Sequence, residues 1–124
     1  NGIKVKIFTP HIPDKKIVFR VTRSYYYSLI MDGIEVYEYT PGFLHSKVIL
    51  VDNKAATVGT INFDYRSLYL HFENNILLYQ SKAIKDIKED FIYTESISQR
   101  VSMKKARYFK GFIEAILRLF APLL

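Results

Sequence analysis

Residues 45–67 read HSKVILVDNKAATVGTINFDYRS. LHSKVILVD, residues 44–52, has the apolar run and length of a long strand, and AATVGT, residues 55–60, those of a second short one. Residues two apart on a strand share a face, so His45 and Lys47 project together from one end of the first strand. Apolar residues of both parities follow them, so this strand needs burial on both faces. A core strand gains nothing from a histidine and a lysine on one face. An imidazole beside an ammonium has its cationic form disfavoured. The pair suits a site that handles an anion, in which the lysine binds an oxygen while the histidine attacks or moves a proton. Two solvated polar residues on a strand would account for the pair alone, so the rest of the chain has to decide.

Working outward, GIKVKIFTP alternates Ile3, Val5 and Ile7 with Lys4 and Lys6, the period of a strand. Asn1-Gly2 before it resembles the stop of a preceding helix, which leads to the expectation that the chain is a piece of something longer. Pro10 to Asp14 reads as a loop, with Asp14 capping a helix that runs to about Met31 and ends at Asp32-Gly33. IEVYEY is a strand and Pro41-Gly42 a turn. Residues 61–70 form a polar loop region, ENNILLY is a strand, and a helix begins near Ser81 and continues past Asp90. A polar linker spans 94–102, and another helix follows. Strands and helices interleave without repeats, which predicts an α/β fold, an α-β-α sandwich on a mixed sheet.

The chain has 124 residues, enough for one domain with a modest core. It has no cysteine, so disulfides and cysteine metal sites are excluded. His11, His45 and His71 are far apart and lack zinc-ligand spacing. No apolar run reaches the roughly 18 residues of a membrane-spanning helix. The net charge of +6 is uneven, because residues 1–99 are nearly balanced while 100–124 carry six basic residues against Glu114 alone.

The larger arrangement decides between the readings of His45 and Lys47. His45, Lys47 and Asp52 have the form H-x-K-x-x-x-x-D, and Gly59, Thr60, Asn62, Asp64, Arg66 and Ser67 supply G-T-x-N-x-D-x-R-S. Nine specified positions in twenty-three resemble the signature of the phospholipase D superfamily. The longer run SYYYSLIMDGIEVYEYTPGFLHSKVILVD, with an ending in RLFAPLL, resembles the second catalytic half of the bacterial cardiolipin synthases. The likeness covers nearly the whole chain and implies a phospholipase D-like lobe over 1–96.

The resemblance also implies roles. His45 would be one of two active-site histidines, the general acid/base, while a histidine from the other motif attacks phosphorus to form a phosphohistidine. Lys47 and Asn62 would hold the non-bridging phosphoryl oxygens, with the Thr60 hydroxyl near them. Glu73 would take the Nδ1–H of His45 and fix its tautomer. Asp52 completes the catalytic signature, yet its parity places it on the opposite face from His45, which suits an ion pair or a loop acceptor. Asp64, Arg66 and Ser67 suit loop architecture and substrate contacts. His11 reads as a surface loop residue, usable at the pocket only if a mobile loop brings it there, and His71 as a half-buried structural one. Tyr25, Tyr26 and Tyr27 read as helix packing.

In the tail, 97–124, Phe109, Phe112, Ile113, Ile116 and Phe120 recur at helical steps, opposite Arg107, Lys110, Glu114 and Arg118. This basic amphipathic helix suits an anionic membrane surface, or else packs on the lobe's own sheet.

The resemblance implies transfer of a phosphatidyl group between two phosphatidylglycerol molecules, with no metal or organic cofactor, at the cytoplasmic side of the cell membrane. A two-histidine mechanism needs a second motif, from a missing N-terminal half or a second copy of the chain, so the piece alone is expected to be weak or inactive. The alternatives are another phosphodiesterase of the superfamily, completed as a homodimer, and a non-catalytic membrane-binding module. The near-neutral charge of 1–99 argues against nucleic acid as the substrate.

Overall fold

A computed structural model describes residues 2–109, 111, 116, 118, 119 and 121. Lys6–Pro10 (β1) runs parallel to Glu35–Tyr39 (β2), and Ser98–Arg100 (β6) pairs antiparallel with β2. Val48–Val51 (β3), Ala55–Gly59 (β4) and Asn75–Tyr79 (β5) form an antiparallel sheet in that order. The α/β class holds, with the sheet present as one mixed and one antiparallel three-stranded piece. The helix Ala83–Ser96 (α4) packs against strands of both pieces and buries Ile84.

The helix expected from Asp14 to Met31 is two helices, Lys16–Ser24 (α1) and Tyr26–Met31 (α2). The Ser24 hydroxyl donates to the Val21 carbonyl at 2.6 Å, and the Tyr25 N–H reaches back only three residues to Thr22. Such local bonds compete with the regular ladder and break it at Tyr25. The N-cap is Lys15 without a side-chain bond, not Asp14. At the other end Gly33 takes φ +84, and Ile34 N–H returns to the Leu29 carbonyl, closing α2 as the Asp-Gly pair predicts.

Tyr26, Val36, Val101 and Ala106 make the core. Val101 N–H donates to the Val36 carbonyl at 2.8 Å, and Ala106 belongs to the helix Met103–Tyr108 (α5). The chain beyond residue 96 therefore continues into the lobe through β6 and α5. Tyr26 shares a 2.6 Å hydrogen bond with Thr9, and burial pushes its phenol up to about 12, so it stays neutral.

The expected tail helix falls mostly on residues outside those described. Within them, Arg118 donates from Nε to Ser24 Oγ at 2.8 Å and lies 4.6 Å from the centre of the Tyr25 ring. Among the described residues no helix is long and apolar enough to cross a membrane.

Candidate active site

β3, β4 and β5 carry the site at one end of their sheet. The register pairs Val48 with Val58 and Gly59 with Asn75. Two backbone bonds extend it one step further: Gly59 N–H to the Lys47 carbonyl at 3.3 Å and Thr60 N–H to the Asn74 carbonyl at 3.0 Å. Segments 45–47, 59–62 and 73–75 therefore lie side by side, and His45, Lys47, Thr60, Asn62 and Glu73 leave the sheet from the same end. His45 and Lys47 precede β3 rather than lying inside it.

Gly59 is fixed by this crowding. A Cβ there would overlap the Asn75 side-chain oxygen and the Asn74 carbonyl, and would lie 2.7 Å from Asn75 Cα. A glycine inside a strand marks such a close approach, so Gly59 was the signal in the sequence that could have found Asn75. Asn75 Oδ1 also accepts the Ile61 N–H at 3.5 Å.

The Lys47 ammonium donates to the His45 carbonyl at 2.7 Å, which leaves two of its three hydrogens for an anion. The exposed His45 ring stacks on Phe43, with centroids 5.4 Å apart, a contact that nothing in the sequence pattern announced. Asn62 Nδ2 donates to Ser67 Oγ at 3.3 Å and keeps one amide hydrogen. Ser67 is buried, and its backbone N–H is capped by Asp64 Oδ1 at 2.7 Å. That cap starts the short helix Tyr65–Tyr69 (α3), inside the segment expected to be all loop.

Glu73 differs from its expected place. Thr60 Oγ1 donates to its Oε2 at 2.5 Å, and His71 Nδ1 stands 3.7 Å from its Oε1. Among the described residues no hydrogen bond joins Glu73 to His45. Thr60 sits opposite Asn74 and one ladder step from Glu73, so its hydroxyl reaches the carboxylate, and the Thr60 proton is thereby committed. Hydrogen bonds from Thr60 and Ser67 hold the Glu73 carboxyl below the usual carboxylate range, against a smaller upward push from burial, with His71 adding to the lowering. His71, expected half-buried, is exposed and also meets Arg66 Nη2 through Nε2 at 3.1 Å.

Asp52 lies apart from this end. It occupies the turn between β3 and β4 with φ 49, followed by Asn53 with φ 53, and Lys54 N–H closes the turn on the Val51 carbonyl. The four residues of β3 separate it from Lys47, which puts it roughly 16 Å away along the strand direction. Direct contact with a group held at Lys47 is excluded by that separation.

What remains at the sheet end is one ammonium, one amide, an imidazole and a carboxylate, a set suited to holding and protonating a phosphoryl group. The sequence comparisons identify the family. Residues 1–94 match the family described as "Cardiolipin synthase, PLD-like domain". Over 127 aligned residues the whole chain is 43% identical to a cardiolipin synthase of Halalkalibacterium halodurans, covering 25% of that protein. It is 42% identical to a cardiolipin synthase of Alkalihalophilus pseudofirmus, again covering 25%. A cardiolipin synthase of Geobacillus thermodenitrificans is 43% identical over 128 residues, with the same share covered. The chain thus spans about a quarter of the length of these relatives. With three quarters of its length inside the family match and its polar side chains gathered where β3, β4 and β5 end together, this chain belongs to the phospholipase D-like domain family of the cardiolipin synthases.

Proposed function

We propose that this chain is the second catalytic lobe of a cardiolipin synthase, transferring a phosphatidyl group from one phosphatidylglycerol to another. The observation that supports this best is the ladder register that sets His45, Lys47, Thr60, Asn62 and Glu73 at one sheet end. A histidine supplied by the other catalytic half attacks phosphorus. The bond from phosphorus to the first glycerol headgroup breaks, a phosphohistidine forms, and His45 gives the departing glycerol oxygen its proton. His45 then takes a proton from a headgroup hydroxyl of the second phosphatidylglycerol. That oxygen bonds to phosphorus as the phosphorus–nitrogen bond breaks, giving cardiolipin and free glycerol.

Lys47 and Asn62 stabilise the charge on the non-bridging oxygens, with their remaining N–H donors aimed at the phosphate. Glu73, anchored by Thr60 and standing beside His71, places a carboxylate at the same end of the sheet without a hydrogen bond to His45. Arg66 and Ser67 shape the substrate-facing loop. The full-length protein acts at the cell membrane, as the lipid substrates require, with its catalytic part on the cytoplasmic side. Its basic tail adds attraction to the anionic lipid surface.

The test is His45→Ala in the full-length protein, assayed with phosphatidylglycerol in vesicles. Loss of general acid/base help lowers kcat by about a hundredfold to ten-thousandfold, with the fold unchanged by circular dichroism. Turnover within a few-fold of wild type would overturn the reading.

A further inference from the structure

The carboxylate–histidine pair expected at Glu73 and His45 is present elsewhere in the lobe. Glu38, on β2, has a side chain with no exposed surface, and its Oε2 lies 2.8 Å from His11 Nδ1. Its other contacts are Arg23 Nε to Oε1 at 2.8 Å and Lys105 Nζ to Oε2 at 2.8 Å. An ionised carboxylate only accepts, so the shared hydrogen belongs to His11 Nδ1, and the neutral form of the ring carries its lone pair on Nε2. Arg23 Nη2 stands 3.4 Å from the same Nδ1. A protonated Nδ1 has nothing to offer it, and the shorter contact to the carboxylate sets the tautomer.

Arg23 and Lys105 already compensate Glu38. A third, histidine partner is not needed for charge, and with 42% of its side chain exposed His11 adds little to the core. Among the described residues Nε2 has no hydrogen-bond partner. The ring also stands at a telling place. His11 N–H donates to the Tyr39 carbonyl at 3.0 Å, one step past the last β1–β2 pair, Pro10 with Tyr39. It therefore leaves the first sheet at the end from which Thr40 starts the segment leading to His45 and Lys47.

We propose that His11 is a substrate-contacting residue whose Nε2 accepts a hydrogen bond from a headgroup hydroxyl of the glycerol phospholipid, with Glu38 as its positioning residue. A neutral Nε2 acceptor selects an O–H donor and rejects a bare phosphate oxygen, so the contact reads the polyol and not the phosphate. This rests on the phosphatidyl-transfer reading above.

Two variants of the full-length protein separate contact from scaffold. His11→Asn keeps a donor where Nδ1 meets Glu38 but offers nothing at the Nε2 position. His11→Gln places an amide oxygen where Nε2 stands. Loss of one such hydrogen bond raises KM for phosphatidylglycerol about tenfold in His11→Asn, with kcat changed less than about threefold. His11→Gln stays within about threefold of wild type in both. A His11→Asn enzyme with wild-type KM overturns the proposal.

If the wild type turns over no phosphatidylglycerol, the transfer reading fails by itself, and side-chain nitrogen NMR of this chain decides on His11. An Nδ1–H tautomer whose Nε2 resonance moves saturably with glycerol 3-phosphate and not with inorganic phosphate supports the contact. An Nε2–H tautomer, or an Nε2 resonance that glycerol 3-phosphate leaves unmoved, overturns it.

Discussion

At the scale of single residues, the costliest group in the lobe is the buried Glu38 carboxylate, and what surrounds it decides its charge. Burial pushes the carboxyl up, but hydrogen bonds from Lys105, His11 and Arg23 together outweigh it and hold the group below the usual carboxylate range. A carboxyl lowered by folding stabilises the fold above its unfolded value, about 4.3 for a glutamate. That contribution is lost as pH falls through the lower folded value. Glu38→Gln leaves Arg23 and Lys105 uncompensated. It is expected to lower unfolding free energy at pH 7 by roughly 2–3 kcal/mol, toward the lower end for a broken buried pair because both cations keep part of their hydration. In urea melts the gap to wild type should close as pH drops below about 4. A gap of constant size from pH 7 to pH 3 would mean that the Glu38 charge contributes nothing. None of this was legible in the sequence. Reading IEVYEY as a strand does not single out Glu38, and its partners come from positions 11, 23 and 105, which no local pattern connects.

At the scale of elements, the ladder at Lys47, Gly59 and Asn75 sets the spacing of the candidate site, and Gly59 is its narrowest point. Gly59→Ala must push Asn75 away from β4 or separate β4 from β5, since backbone as well as side-chain atoms stand in the way. Overpacking of this kind costs about 1–3 kcal/mol. A drop in thermal midpoint is expected together with weakened protection of the Thr60 and Ile61 amides in hydrogen exchange. An alanine variant with wild-type midpoint and protection would show that the strands can part freely. The same strands show what sequence reading captures. Apolar runs placed β2 through β5 because strand signals are local, and the polar positions at 45–67 could nominate a candidate site because their spacing is local too. The break at Tyr25 was missed because Ser24 spends its hydroxyl on Val21, a choice made by packing, and the cap at Lys15 because it uses no side-chain bond that a residue type could announce. The short α3 was missed because five residues carry too little periodicity to be seen. The Thr60 bond to Glu73 depends on two strands meeting in register, which one segment cannot announce.

At the scale of the whole molecule, the second sheet has an unfinished face. Cross-strand partners share a face, so Ile49, Thr57 and Leu77 form one row and Val51, Ala55 and Tyr79 the next. Leu77 is 70% exposed, Tyr79 67% and Val51 52%. On the other face Leu50, Ala56 and Leu78 are more covered, on the strands against which α4 packs. The exposed rows run into Lys47 and Asn75 at the site end. An apolar patch of this kind seeks a cover, and here the cover would meet the end of the sheet that carries the candidate site. On the proposed function, a second catalytic half is the cover expected here, whether it comes from the same polypeptide or from another copy. Alone in solution, the 14.6 kDa chain is therefore expected to associate through this face. Light scattering over a concentration series should give a mass rising above that of the monomer. Leu77→Lys with Tyr79→Lys should return it to the monomer without lowering the thermal midpoint, because neither side chain belongs to the core. A wild-type chain that stays monomeric to millimolar concentration would place the cover of this face, and the second histidine with it, outside this chain's own copies.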